Sequence, residues 1–278
     1  MSWPQVEAAA KRGALMMLPV AVIEQHGPHL PLATDTYGAY LLCVQGRRAL
    51  QELGFEALVA PPYYFGINAS TGMFPGSLTI SRELMIALLA EIMQNYSAWG
   101  FGTQFVVSHH GDGQHNEAVV EAIRLARDRG VDAVLTLGSF VGPIIEHEYT
   151  ARFGRPLPLP DAAVVRAAES DETRRLREKV TRSSLHVHAE ERETSMIMRW
   201  FPDSLDKDQT IETLTPVLPT MDEFSQACVE GRWRELSPLG YIGDPAAATV
   251  ENGELYRLEA EDMAKAIAEH LSQSGSRG

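Results

Sequence analysis

The sequence predicts an α/β fold, a parallel sheet flanked by helices, and three observations carry that expectation. Apolar runs of strand length recur at Ala14 to Ile23, Ala57 to Ala60, Thr103 to Val107 and Ala133 to Phe140. Stretches with helical apolar spacing stand between them, so strand, loop and helix alternate as crossover-connected parallel strands require. The chain's 278 residues are 45% hydrophobic, enough for a substantial core.

Each element has its own signal. Ala14 to Ile23 (ALMMLPVAVI) is nearly continuous in apolar residues, as expected of a strand buried on both faces. Thr36 to Leu53 carries apolar residues at helical spacing; Thr34 or Asp35 can cap its start and Gly54 can end it. After the short strand Ala57 to Ala60 comes PPYYFGINASTGMFPGSLTI, whose Gly, Pro, Asn and Ser content reads as a long shaped loop beside a pocket. Arg82 to Trp99 is a second helix, closed by Gly100, and Thr103 to Val107 is a strand running into SHHGDGQHN. A helix over Ala118 to Arg129 and a strand over Ala133 to Phe140 follow. GRPLPLP at 154–160 breaks the pattern, and the charged stretch to Ser184 reads as a solvated insertion or lid. Glu193 opens a helix ending near Trp200, Leu255 to Leu271 is an amphipathic tail helix, and Gln273 to Gly278 reads as a frayed end.

A net charge of -13 argues against non-specific binding to nucleic acid or anionic membranes, which need a basic surface. With only Cys43 and Cys228 there is no disulfide framework, and MSWPQVEAAAKRG lacks the apolar core of a signal peptide. No membrane-spanning stretch is present. A cytoplasmic protein with a small-molecule partner is expected.

The stretch with the most chemistry is Ile23 to Thr36, IEQHGPHLPLATDT, which offers Glu24, His26, His29 and Asp35. Carboxylates with imidazoles suit zinc, manganese or iron(II) and disfavour thiolate-loving ions. Glu24 and His26 fall just beyond the carboxyl end of the first strand, where open α/β sheets place their ligands. Asp35 reads equally as an ordinary helix N-cap.

Three separated segments, EQHGPHLPLATDT, SHHGDG and HAEERETS, together with FPGSLTI and GDPAAAT, resemble the creatininase (creatinine amidohydrolase) family. The resemblance implies a three-layer α/β/α fold with a mainly parallel central sheet, a single domain over residues 1–278, and a hydrolase site holding one or two divalent ions (Zn, Mn or Fe). It implies Glu24, Asp35 and His110 on one ion and His26, Asp35 and Asp112 on the other, with Asp35 bridging. Asp112 departs from the family, where creatininase has Glu and many relatives have Gly; Gly111 and Gly113 are expected to let its shorter side chain reach the second ion, directly or through one water. The alternative for Asp112 is a carboxylate that stabilises a Gly-rich turn.

His188 matches the family histidine near the substrate and is expected to move protons, and Glu193 of the ETS motif is expected to orient another group of the site. Their structural alternatives are a satisfied core histidine and a helix cap. Asn68 and Gly111 are expected to touch substrate. His29 is expected to lie behind the ligands, and His109, His115 and His186 read as structural or surface residues. The tryptophan cage of creatininase is missing at the matching residues Ser183, Ser184 and Leu185, so creatinine itself is not the expected substrate. The favoured activity is hydrolysis of a C–N amide-type bond, in a cyclic amide or formamide. Alternatives are hydrolysis of a C–C or lactone bond in a cyclic ketone or sugar-derived metabolite, and a metal-retaining subunit without turnover. A homo-oligomer, a hexamer by resemblance, is expected, with the tail helix as one contact.

Overall fold

In the computed structural model, which describes residues 1–139, 141–183, 186–205 and 210–275, the first apolar run becomes β1 (Leu15–Val20), buried along its whole length. It pairs in parallel with β2 (Ala57–Val59) on one side and β3 (Thr103–Ser108) on the other. With β4 (Asp132–Leu137) and β5 (Val164–Arg166) the sheet has five parallel strands in the order β2-β1-β3-β4-β5. Pro19 is tolerated in this near-central strand for a local reason. Its carbonyl accepts from Tyr63 N on the β2 side, so its ring nitrogen faces that side too, beyond the point where β2 has ended at Val59.

Alternation along the strands divides the core into two layers. Met16, Leu18, Val20, Val106 and Leu135 pack with α3 (Arg82–Ala98) and α4 (Gly113–Asp128) through Met85, Leu89, Val119 and Ile123. On the other face, Leu15, Met17, Phe105, Val107 and Val134 pack with α2 (Thr34–Glu52) and the tail helix (Leu255–Gly275). This is the three-layer α/β/α arrangement with a parallel sheet. Burying one such Leu or Met contributes about 1.5–3 kcal/mol, so neither layer is dispensable.

Two expectations change. The stretch from Gly154 onward, expected as a solvated insertion or lid, supplies β5, which pairs with β4 as the sheet's edge, and then a helix over Asp171–Val180. The tail helix is not left apolar for a partner subunit: Leu255, Tyr256, Leu258, Met263 and Ile267 are buried in the same chain. Phe140, Ser184, Leu185 and residues 276–278 lie outside the described residues, and with them the last residue of the expected fourth strand, two of the three matches to the tryptophan cage and the end of the tail. Among the described residues no helix is long and apolar enough to cross a membrane.

Candidate metal centre

The register that aligns Val20 with Ser108 puts the exits of β1 and β3 on one rim of the sheet. Glu24 and His26 leave one exit, His109 and His110 the other. The first turn of α2 is pinned to the same rim, because Thr36 Oγ1 donates to Val22 O (2.9 Å) and Glu24 N donates to Leu32 O (2.9 Å). Asp35 is thereby carried into the first helical turn, where the helix dipole favours its ionised form.

Three sets of side chains, buried except for the partly buried Glu193, could each hold an ion: Glu24, Asp35 and His110; His26, Asp35 and Glu193; and Glu24, His26 and His188. His110 Nδ1 lies 3.2 Å from Glu24 Oε2 and 3.1 Å from Asp35 Oδ2. His26 Nε2 lies 3.6 Å from Asp35 Oδ1 and 3.7 Å from Glu193 Oε2. These are short distances without hydrogen-bond geometry, and Glu24 Oε2, His26 Nε2 and Asp35 Oδ2 are buried atoms with no hydrogen-bond partner.

The imidazoles explain why. His110 Nε2 faces Ile67 O at 3.2 Å, His26 Nδ1 faces Glu24 O at 3.1 Å, and His188 Nε2 faces Gln25 O at 2.7 Å. A carbonyl only accepts, so in each ring that nitrogen carries the proton, and in the neutral ring the other presents its lone pair to a carboxylate. Three such rings and three carboxylates, Glu24, Asp35 and Glu193, require positive charge between them, and the donor set fits a divalent ion.

Protons are the competing source of that charge. Burial pushes the Asp35 carboxyl up, but His26, His109 and His110 outweigh it and hold it well below the usual carboxylate range. Burial likewise raises Glu24, and His188 and His110 bring it below its ordinary value. Burial lowers His26, yet Asp35, Glu193 and Glu24 hold it up at about 10, and Glu24 and Asp35 hold His110 well above its ordinary value against the same burial.

The second half of the centre arrives from far along the chain. His188 is bridged in antiparallel fashion to Ile242, and its Nδ1 stands 3.9 Å from Glu24 Oε2. Next to it Ala189 takes φ 51, a positive value otherwise found only at glycines among the described residues. That kink lets Ala189 N donate to Glu193 Oε2 (2.6 Å) as α7 (Glu191–Trp200) begins. Glu190, not Glu193, caps α7, and Glu191 is spent on Arg182 N, Ser183 N and Asn252. Of these acids only Glu193 turns to the site.

Asp112 is not brought into any of the three sets, a correction to its expected place on the second ion. It is the N-cap of α4: Oδ1 accepts from Gln114 N (2.9 Å) and His115 N (3.1 Å), and Oδ2 from Ala69 N (2.8 Å) and Ser70 N (3.3 Å). Four backbone donors thus consume the carboxylate, and Glu193 stands beside His26 and Asp35 where Asp112 was expected. Asn68 gives its amide N–H groups to Ile23 O and Leu78 O, which ties the 61–80 loop to the β1 exit and leaves only its buried Oδ1 unpartnered. Gly111 is exposed in the turn before α4. His29 lies behind the ligands with Nε2 3.0 Å from Thr194 Oγ1; His115 accepts from Ile67 N, and His186 Nδ1 pairs with Glu190 Oε2 at 2.6 Å.

Sequence reasoning missed three neighbours. Thr71 Oγ1 donates to Glu24 Oε1, and Gln25 Nε2 donates to Gly240 O (2.7 Å) beside His188. His109, read as structural or surface, has Nδ1 3.5 Å from Asp35 Oδ1. Gln25 and His109 adjoin recognised candidates in sequence, which was the available signal; Thr71 had none.

A sequence profile described as creatininase, creatinine amidohydrolase, matches residues 1–271. The chain is 29% identical over 267 residues to a mycofactocin precursor peptide peptidase of Mycolicibacterium smegmatis, covering 93% of this chain and 85% of that one. It is 24% identical over 288 residues to a creatinine amidohydrolase of Pseudomonas putida (98% and 95% covered). Similarity to a 3-dehydro-scyllo-inosose hydrolase of Thermotoga maritima is 23% over 215 residues (77% and 58%). Among solved structures, a tryptophan-to-alanine variant of creatininase superposes with a TM-score of 0.67 at 20% identity, covering 97% of this chain and 96% of that one. The manganese form of creatininase gives 0.62 at 20% identity, and a glutamate-to-glutamine variant of Zn–Zn type gives 0.61 at 19%, each covering 99% of this chain and 96% of the other. These superpositions show a shared fold.

Proposed function

The chain belongs to the creatininase family, and on that premise we propose that it is a metal-dependent amidohydrolase that cleaves a C–N amide-type bond, in a cyclic amide or formamide, of a small metabolite. The observation that carries this reading is the common posture of His26, His110 and His188, each tied through one nitrogen to a backbone carbonyl and aimed with the other at buried carboxylates. Glu24, Asp35 and His110 would hold one divalent ion and His26, Asp35 and Glu193 a second, with manganese and zinc favoured by the forms known for creatininase. Ions bound there supply Lewis-acid polarisation of the scissile carbonyl and an activated water.

The chain's own residues do the rest. Asp35 belongs to two of the sets and has two carboxylate oxygens, so it would serve both ions. His188, its Nε2–H engaged by Gln25 O, keeps Nδ1 free to take the proton of the attacking water and pass it to the leaving nitrogen. Thr71 fixes Glu24, and the Ala189 N–H fixes Glu193. Elemental analysis of protein purified without chelator, followed by turnover assays on cyclic amides, formamides and lactones, tests the reading. Metal together with turnover of an amide supports it, and the lack of any bound divalent metal sinks it.

A second reading, hydrolysis in a cyclic ketone or sugar-derived metabolite, draws on the similarity to the Thermotoga maritima hydrolase. Turnover of such ketones or lactones with none of amides would select it, and metal retention without turnover of any class would select a non-catalytic subunit. We also propose a homo-oligomer, whose contacts would not use the buried apolar face of the tail helix. Light scattering that shows a monomer at micromolar concentration would remove that proposal.

A further inference from the structure

His109 differs from the three histidines above in what holds it. Its Nε2 lies 3.1 Å from the hydroxyl of Tyr256, and a hydroxyl, unlike a carbonyl, can donate. Donation from Tyr256 leaves the proton of the ring on Nδ1, a buried atom with no hydrogen-bond partner that stands 3.5 Å from Asp35 Oδ1, beyond ordinary hydrogen-bond length. The opposite tautomer would set a lone pair against an ionised, buried carboxylate, an arrangement that costs rather than stabilises. Consistent with this, His109 belongs to none of the three sets that could hold an ion.

The surroundings are shaped to keep the ring there. Gly38 lies inside α2, and a Cβ on it would come within 2.6 to 2.8 Å of three ring atoms of His109. A glycine inside a helix costs about 1 kcal/mol relative to alanine, so this position gives up helix stability and gains space for the imidazole. Tyr256 is fully buried, and its ring is covered by the Arg192 guanidinium at 4.3 Å. Arg192 in turn pairs with buried Glu259, for which Gly138 makes room, since a Cβ there would stand 2.4 Å from Glu259 Oε1. Arg192 also precedes Glu193 on α7, so one chain of contacts joins both ends of the centre.

We propose that His109 is a positioning residue: held by Tyr256, it presents its otherwise unpartnered Nδ1–H to Asp35 Oδ1 and keeps that oxygen aimed at the half of the centre formed by His26 and Glu193. This inference rests on the metal reading above. Partners of this kind to metal-bound carboxylates are worth about 10- to 100-fold in metal affinity.

The test is calorimetric titration of the full, metal-stripped chain with Mn²⁺ and, separately, Zn²⁺. His109→Phe keeps the ring and removes the N–H; His109→Asn keeps an N–H where Nδ1 stood and removes most of the ring. The expected result is a loss of about 10- to 100-fold in affinity for His109→Phe, with most of the affinity restored in His109→Asn. Tyr256→Phe, which removes only a hydroxyl, should show a smaller loss of affinity. Tyr63→Phe should bind as wild type, because the Tyr63 hydroxyl is buried without a partner. The reverse order, Phe binding as wild type and Asn binding worse, would make His109 a space filler and overturn the inference, as would unchanged affinity in Tyr256→Phe if the His109 variants do not fold. Wild-type protein that binds neither ion would instead sink the metal reading itself.

Discussion

The two halves of the candidate centre are built by different means. Glu24, Asp35 and His110 hang from neighbouring strand exits and from a helix pinned to one of them, so sheet register alone brings them together. His188 and Glu193 come from a segment held by a single antiparallel bridge to Ile242, by Gln25, and by the strained Ala189. The first half is positioned by the most rigid part of the fold, and the second by contacts between residues far apart in sequence. Retention of the first ion should therefore depend on the first half, and retention of the second ion together with proton handling on the second.

Substitution of the shared carboxylate should have the largest effect. Asp35→Ala is expected to abolish activity and to lower metal content more than His188→Ala does, with both measured by elemental analysis and turnover. Equal metal loss in the two variants would make His188 a ligand and erase the contrast between the halves.

Gly240→Ala should come next and should spare the strand-borne half. A Cβ at this position, φ 89, would stand 2.1 Å from Gln25 Oε1. The clash displaces the Gln25 side-chain amide, whose Nε2 lies 3.1 Å from His188 Nε2, and disturbs that imidazole, so kcat should fall while the metal held by Glu24, Asp35 and His110 remains.

Asp112→Ala should act on stability and not on the metal. It leaves four backbone N–H groups without their acceptor, at a cost of about 1–3 kcal/mol read as a lower denaturation midpoint. Unchanged stability with lost metal would restore Asp112 as a ligand.

The last effect, confined to acid pH, concerns His29, behind the centre. Burial, with help from His26, pushes its pKa down to about 4. Its contribution to stability is complete above the unfolded value of about 6.5 and is lost as pH falls from there to about 4, by up to about 1.4 kcal/mol per pH unit. His29→Gln should flatten that part of the stability profile, and an unchanged slope would show that His29 is not the group responsible.

Much of the architecture was legible. Four apolar runs announced four strands, but β5 was not, because Val164–Arg166 is three residues long inside a charged stretch and too short to show a period. Glu24, His26 and Asp35 were legible as candidates from their types, Glu24 and His26 also from their place at a strand exit, and His110 from the family resemblance. Asp112 was read as a ligand because a carboxylate after a strand exit reads alike as a ligand and as a helix cap; the backbone donors at Ala69 and Ser70 that hold it lie more than forty positions away. His109 was passed over for the same reason, since its meaning depends on Tyr256, 147 positions along the chain.

The central claim is that the second ion is held by His26, Asp35 and Glu193 and not by Asp112. Elemental analysis of Glu193→Gln beside Asp112→Asn, each purified without chelator and compared with wild type, tests it most directly. The account predicts wild-type metal content in Asp112→Asn and loss of the second ion in Glu193→Gln. Full metal content in Glu193→Gln with one ion missing from Asp112→Asn would contradict it.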